Sequence, residues 1–418
     1  MPSIDLKYGR TVIPFEYDEG SFEILGGQTS KRPLSDIEIG EKLDAPIDSK
    51  PLEEIVDPGE TVLLVVPDAT RETACGQIVN LLVRRLIANG TTPAEINIIF
   101  ATGIHRPVTE AEKRLLLTPF IAQRIKTVDH DPENPVRLFR VGETSGGIPI
   151  DLNWTLTEYD HVVLIGGVTF HYFAGFTGGR KLVCPGLASA KTVAATHKLA
   201  FDCETRSRRE GVGTGLLGGN AVHEAFMEAA ALINPAFCIS TIVDDSGEVV
   251  DLFCGDWKTS HRTACDAYAA EHTIAIPEKR DLVVVSCGGY PHDINMIQAH
   301  KALDAASHAC NEGGTIVLVA QCEDGLGRTD FLTWFVAENS TGLAEKLCEN
   351  YQVNGQTAWS LLKKAERFDV KMVTSLDQHA TNMMKVSNLD SISGLPVIRT
   401  RKGYILPDGA KYLIEFTS

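Results

Sequence analysis

The sequence has no CxxC pair, no excess of positive charge and no apolar run longer than a strand, and each absence removes a class of protein. Its ten cysteines are scattered without regular spacing. That argues against a disulfide framework or a zinc knuckle and fits a reducing cytoplasm. Lysine and arginine number 39 against 55 aspartates and glutamates, a formal net charge of −16. Such a surface repels nucleic acid and anionic membranes. Apolar runs such as 62–66 and 281–285 are strand-length and too short to cross a bilayer. No basic segment followed by an apolar one stands at the N-terminus, as a secretory signal would require. What is present is the composition of a soluble enzyme: 418 residues, 44% hydrophobic and 22% charged, long enough for two cores. An anionic substrate would need a local cluster of cations.

The pattern alternates strands and helices. Residues 60–66 read as a β-rich run ending in Pro67-Asp68-Ala69-Thr70-Arg71, before a helix near 76–88. Residues 95–100 read as a second strand, ending in Ala101-Thr102-Gly103-Ile104-His105-Arg106-Pro107, with Thr109 as N-cap of the next helix. Residues 160–165 form a third strand, leading into a glycine-rich loop. Short strands alternating with helices predict layered α/β domains with mostly parallel sheets, and ligands gather at the carboxyl ends of such strands. A hairpin is expected over 236–252 and a helix over 258–271, then a linker at 276–279. Strands at 281–286 and 315–320 flank a helix over 294–310. The expected organisation is two α/β domains, 1–275 and 280–400, with the active site in a cleft between them, and a β-like tail, 401–418, that could join either.

The segment 166–186 carries the chemistry. Five glycines between Gly166 and Gly179 allow unusual backbone angles and close approach of a ligand, and their N–H groups suit a phosphate. It is not a Walker A loop, because Arg180-Lys181-Leu182 follows Gly179 where that motif has Lys-Ser/Thr. A plain connecting loop is the bland alternative. His171 and Lys181 share this loop, and His197 lies on the following helix (188–199). Arg180 beside Lys181 would lower the lysine pKa and favour covalent chemistry, and a neutral His197 could bind a metal. Gly213 to Gly218 matches GxGxxG by letter but follows a polar stretch, so it reads as a flexible loop.

At these residues the chain resembles the nickel-dependent lactate racemase family. The resemblance rests on His105 after a strand, on His171-x3-Gly-Phe-Thr-Gly-Gly-Arg-Lys181, and on His197. Asp68-Ala69-Thr70-Arg71 and Gln298-Ala-His-Lys301 extend it over nearly the whole chain. It implies nickel and a nickel-pincer nucleotide, pyridinium-3,5-bisthiocarboxylic acid mononucleotide, covalently joined to Lys181, with His197 as the protein ligand to the metal. It implies that His105 and His171 flank a small 2-hydroxy acid as proton donor and acceptor. Asp68, Ala69, Thr70 and Arg71, with Gly178 and Gly179, would contact the nucleotide. Arg71, Gln298 and Lys301 would contact the substrate. Cofactor-biosynthesis enzymes would be needed for maturation. Ile297 departs from the aromatic residue associated with lactate-specific members, so malate, an aryl-lactate or a sugar acid is an equal expectation.

This chemistry suits a substrate whose α-hydrogen is barely acidic. Removing hydride while a histidine takes the hydroxyl proton gives a flat keto acid, and hydride can return to either face. A hydride acceptor must come from a cofactor, and one base is needed per enantiomer. Arg71 and Lys301 would hold the carboxylate. The bland readings are a helix-start surface residue for Arg71, a solvated face for Lys301, a helix cap for Asp68 and a small buried residue for Cys184. Rival functions are a pyridoxal-phosphate-type lyase with Lys181 as Schiff base, a non-catalytic cofactor carrier, and a plain two-domain binding protein.

Overall fold

The structure, a computed structural model, describes residues 1–27, 31–69, 71, 73–392 and 402–417. It divides into two compact units, each with its own sheet. The central unit comprises Thr29–Leu199 and Glu210–Ala270, and the terminal unit Met1–Gln28, Ala200–Arg209 and Glu271–Ser418.

In the central unit six strands lie in the order Val249–Gly255, Phe237–Val243, His161–Gly167, Val62–Pro67, Ile96–Ala101, Lys126–Asp129. All neighbours are parallel except the first two, which form the expected hairpin. Every residue of Val62–Pro67 is buried. An all-apolar strand of that kind suits the middle of a sheet covered on both faces. Helix Cys75–Ala88 packs its Ile78, Val79, Leu82, Val83 and Leu86 against this sheet. Each such side chain contributes about 1.5–3 kcal/mol by leaving water. Thr109 caps the helix Glu110–Leu116, with Glu112 completing a capping box. Chain order reverses between Val62–Pro67 and His161–Gly167, and in an open α/β sheet that reversal opens a crevice at the carboxyl ends.

The terminal unit holds a second six-stranded sheet, Ser387–Asn388, Asp369–Val373, Cys310–Val319, Arg280–Ser286, Gly403–Leu406, Phe22–Ile24. All its pairs are parallel. The units are therefore not the successive segments 1–275 and 280–400. Phe22–Ile24 extends the sheet beside Gly403–Leu406, so segments nearly 400 residues apart in sequence share an edge. Leu413–Phe416 pairs with Thr273–Ile276 in the same unit.

The cysteine reading needs one correction. Cys203 and Cys348 form a disulfide across 145 residues of sequence, a separation that leaves no local spacing signal. The other eight cysteines are free and buried. Among the described residues, no helix is long and apolar enough to cross a membrane.

Candidate active site

Because Pro67 pairs with Ala101 in parallel register, the loops after these two strands leave the sheet side by side. This brings Asp68 to His105. Asp68 is buried, and its Oδ2 lies 2.7 Å from Nδ1 of His105. A carboxylate only accepts, so Nδ1 carries the proton, and in the neutral ring Nε2 keeps the lone pair. The Gly103 N–H donates to the Gly186 carbonyl at 2.8 Å, tying the His105 loop to the turn after Lys181.

The glycine-rich loop begins with a tight hairpin, Phe170–His171 against Gly175–Phe176. His171 is buried, and the Ala174 N–H donates to its Nδ1 at 3.3 Å. A neutral His171 therefore carries its proton on Nε2, the reverse of His105. Gly178 and Gly179 have φ of 74° and 51°. A Cβ on Gly178 would meet the Gly167 carbonyl oxygen at 2.9 Å, and one on Gly179 the His261 ring at 2.5 Å. Both positions thus require glycine.

Lys181 sits in the turn Gly179–Leu182 with Nζ 5.8 Å from the ring centres of Phe173 and Phe226. His197 lies on helix Ala190–Lys198, capped by Ser189. Its ring is 5.1 Å from that of Phe173 and 5.5 Å from that of Phe226. His171 packs edge-on against Phe173 at 4.5 Å. His171, Lys181 and His197 are thus gathered around one phenylalanine. His197 Nδ1 donates to the Val193 carbonyl at 2.8 Å, leaving the Nε2 lone pair. Burial, aided by the Lys181 charge, lowers its pKa to about 3, so the ring is neutral at pH 7. A neutral imidazole with its second nitrogen fixed is the form that ligates metals. Among the described residues no three His, Cys, Asp or Glu side chains are grouped to hold a metal ion.

The remaining expected residues are placed as follows. Ala69 and Arg71 are half-buried, and Arg71 N–H donates to the Asp68 carbonyl at 3.2 Å; Thr70 lies outside the described residues. Gln298 and Lys301 lie in the terminal unit on helix Met296–Ala309, three residues apart, with Lys301 Nζ donating to Gln298 Oε1 at 2.7 Å. Ile297 packs against that unit's core. Cys184 is fully buried, its thiol pushed up to about 12 by that burial, and residues 213–218 are a turn segment whose Thr214 bridges to Gly175.

Sequence reasoning missed Phe173 and Phe226. Phe173 was within the motif but reads as ordinary core. Phe226 comes from helix Ala221–Ile233, and nothing local marks it. The side chain of Arg180 is fully buried and turned to the carbonyls of Ala174 and Gly178.

A model of the lactate racemase N-terminal domain matches residues 8–208, and one of the lactate racemase C-terminal domain matches residues 276–393. The chain is 33% identical over 335 residues to lactate racemase of Lactiplantibacillus plantarum, covering 79% of this chain and 77% of that protein. It is 30% identical over 339 residues to lactate racemase of Thermoanaerobacterium thermosaccharolyticum, covering 80% and 78%. The lactate racemase apoprotein structure from the latter organism superposes with a TM-score of 0.88 at 25% identity, covering 99% of this chain and 100% of that one. Fold and relatives together define an isomerase of the racemase class. Within that class, the chain belongs to the lactate racemase family.

Proposed function

We propose that this chain interconverts the enantiomers of lactate or a closely related 2-hydroxy acid, using a nickel-pincer nucleotide carried on Lys181. The observation that supports this reading best is the gathering of His171, Lys181 and His197 around Phe173. Lys181 would hold the cofactor through a thioamide and His197 Nε2 would ligate nickel. Asp68, Ala69, Thr70 and Arg71, with Gly178 and Gly179, would contact the nucleotide. When bound, the cofactor supplies the hydride acceptor that side chains lack.

The two histidines enter turnover in different states. His105, with Nδ1–H held by Asp68, presents a lone pair at Nε2 and takes the hydroxyl proton of one enantiomer. His171 presents Nε2–H toward the substrate oxygen. For that proton to be given fully, Nδ1 would first take one from solvent in place of accepting the Ala174 N–H, and the Nε2 then freed would serve as base for the other enantiomer. Arg71 would pair with the carboxylate, and Lys301, held by Gln298, is a further candidate cation for the substrate. Enzymes that assemble the cofactor are required for maturation.

The test is intact-mass and nickel analysis of protein co-expressed with the cofactor-making enzymes, followed by chiral chromatography after incubation with single enantiomers. Expected are an added mass on the Lys181 peptide, stoichiometric nickel and a racemic product. An unmodified Lys181 peptide, or a borohydride-reducible carbonyl adduct in its place, would overturn the reading.

A further inference from the structure

Arg180 is among the largest fully buried side chains of the protein. Among the described residues no carboxylate is seen against it, its pKa being lowered to about 10 by burial, and its Nε has no partner. A hydrophobic side chain of similar volume would be easier to bury, so the guanidinium must be there for what it bonds. Nη2 donates to the Ala174 carbonyl at 2.7 Å and Nη1 to the Gly178 carbonyl at 3.4 Å. A third carbonyl of the same loop, Thr177, accepts from His261 Nε2 at 2.9 Å. A carbonyl only accepts, so Nε2 bears the proton, and the 3.3 Å approach of Arg180 Nη1 to that nitrogen is packing alone. The His261 ring also fills the space where a side chain on Gly179 would stand.

We infer that Arg180, backed by His261, is a positioning residue that braces the loop between His171 and Lys181. The brace reaches His171 through one residue: Arg180 holds the Ala174 carbonyl, and the Ala174 N–H holds the His171 ring. It reaches Lys181 directly, as its chain neighbour. The rigid fork of the guanidinium spans two carbonyls at once, which the single ammonium of lysine does not. The inference rests on the roles proposed above for His171 and Lys181.

The test compares Arg180→Lys, Arg180→Met and His261→Gln with wild type by hydrogen exchange on the full chain without cofactor, then by kinetics of the loaded enzyme. Peptides covering 172–181 should exchange at least about tenfold faster in Arg180→Lys, while those covering Val62–Pro67 and His161–Gly167 keep wild-type rates. A structural defect of the whole unit would raise all of them. In loaded enzyme kcat should fall about 10- to 100-fold with KM little changed, because the brace touches no substrate. Loop exchange within twofold of wild type in all three variants overturns the proposal. If loop exchange rises but wild-type Lys181 never gains mass, the brace stands and the proposed function falls.

Discussion

Nδ1 of His105 lies 2.7 Å from Oδ2 of Asp68, with the carboxylate side chain 8% exposed and the imidazole 41% exposed. The carboxylate is therefore fixed in the protein while the ring it orients stays open to solvent, as the base proposed above requires. Replacing Asp68 by Asn removes the obligate acceptor and lets the ring adopt the other tautomer. By analogy with carboxylate-oriented histidines, turnover should fall by about two to four orders of magnitude. Steady-state kinetics in both directions, with nickel content measured alongside, checks this. Full turnover in Asp68→Asn would show that the pair is structural.

Lys181→Ala and His197→Ala should fail in different ways. The first should lose the whole cofactor, seen as absence of the added mass. The second should keep the organic mass and lose nickel. Equal loss of both components in each variant would refute the separate assignments of tether and ligand.

Lys301→Ala should raise KM at least about tenfold while altering kcat less, since a carboxylate partner acts in ground and transition states alike. Gln298→Ala should do so more mildly, because it removes the group that holds Lys301 Nζ. A kcat effect without a KM effect would move Lys301 from binding to chemistry.

Stability should fall steadily below neutral pH. Burial lowers His130 to about 4, and His197 and His261 to about 3. The unfolded chain protonates these rings near pH 6.5, so between about pH 6.5 and 4 it binds more protons than the folded state. Folding is then destabilised by about 1.4 kcal/mol per histidine per pH unit. Urea midpoints at pH 7.5 and 5.5 should differ accordingly, and His130→Gln should shrink the difference. Equal midpoints would mean that the folded rings take up protons as readily as free ones.

Thiol titration of denatured, unreduced protein should count eight groups, rising to ten after reduction. Cys203 is exposed and Cys348 half-buried, so a small thiol reaches the bond. Cys203→Ser should lower stability by about 2–4 kcal/mol, given the length of chain the bond closes. Ten titratable thiols before reduction would contradict the cross-link.

How far the chain could be read from its letters depends on how local each signal is. The strand before Asp68, the Thr109 cap and the hairpin after Phe237 were legible because adjacent residues determine them. The motif around His171 and Lys181 was legible because its glycines are dictated by close approaches such as Gly178 to the Gly167 carbonyl. What escaped was contributed from a distance. Phe226 joins Lys181 from a helix 45 positions later, and His261 meets the loop from 84 positions beyond Thr177. Asp68 was read as a cap or nucleotide contact, because pairing it with His105 needs the parallel register of two strands.

The backbone passes from one unit to the other after Gln28, Leu199, Arg209 and Ala270. No single break in the gene therefore releases either unit whole. A fragment beginning at residue 276 leaves behind the Phe22–Ile24 strand and Phe201, whose ring stacks edge-on against Trp359. It would present the bare flank of Gly403–Leu406 to any passing β-strand, an invitation to aggregate. Chimaeras that exchange the C-terminal half between relatives should stay soluble only when the opening 28 residues travel with it.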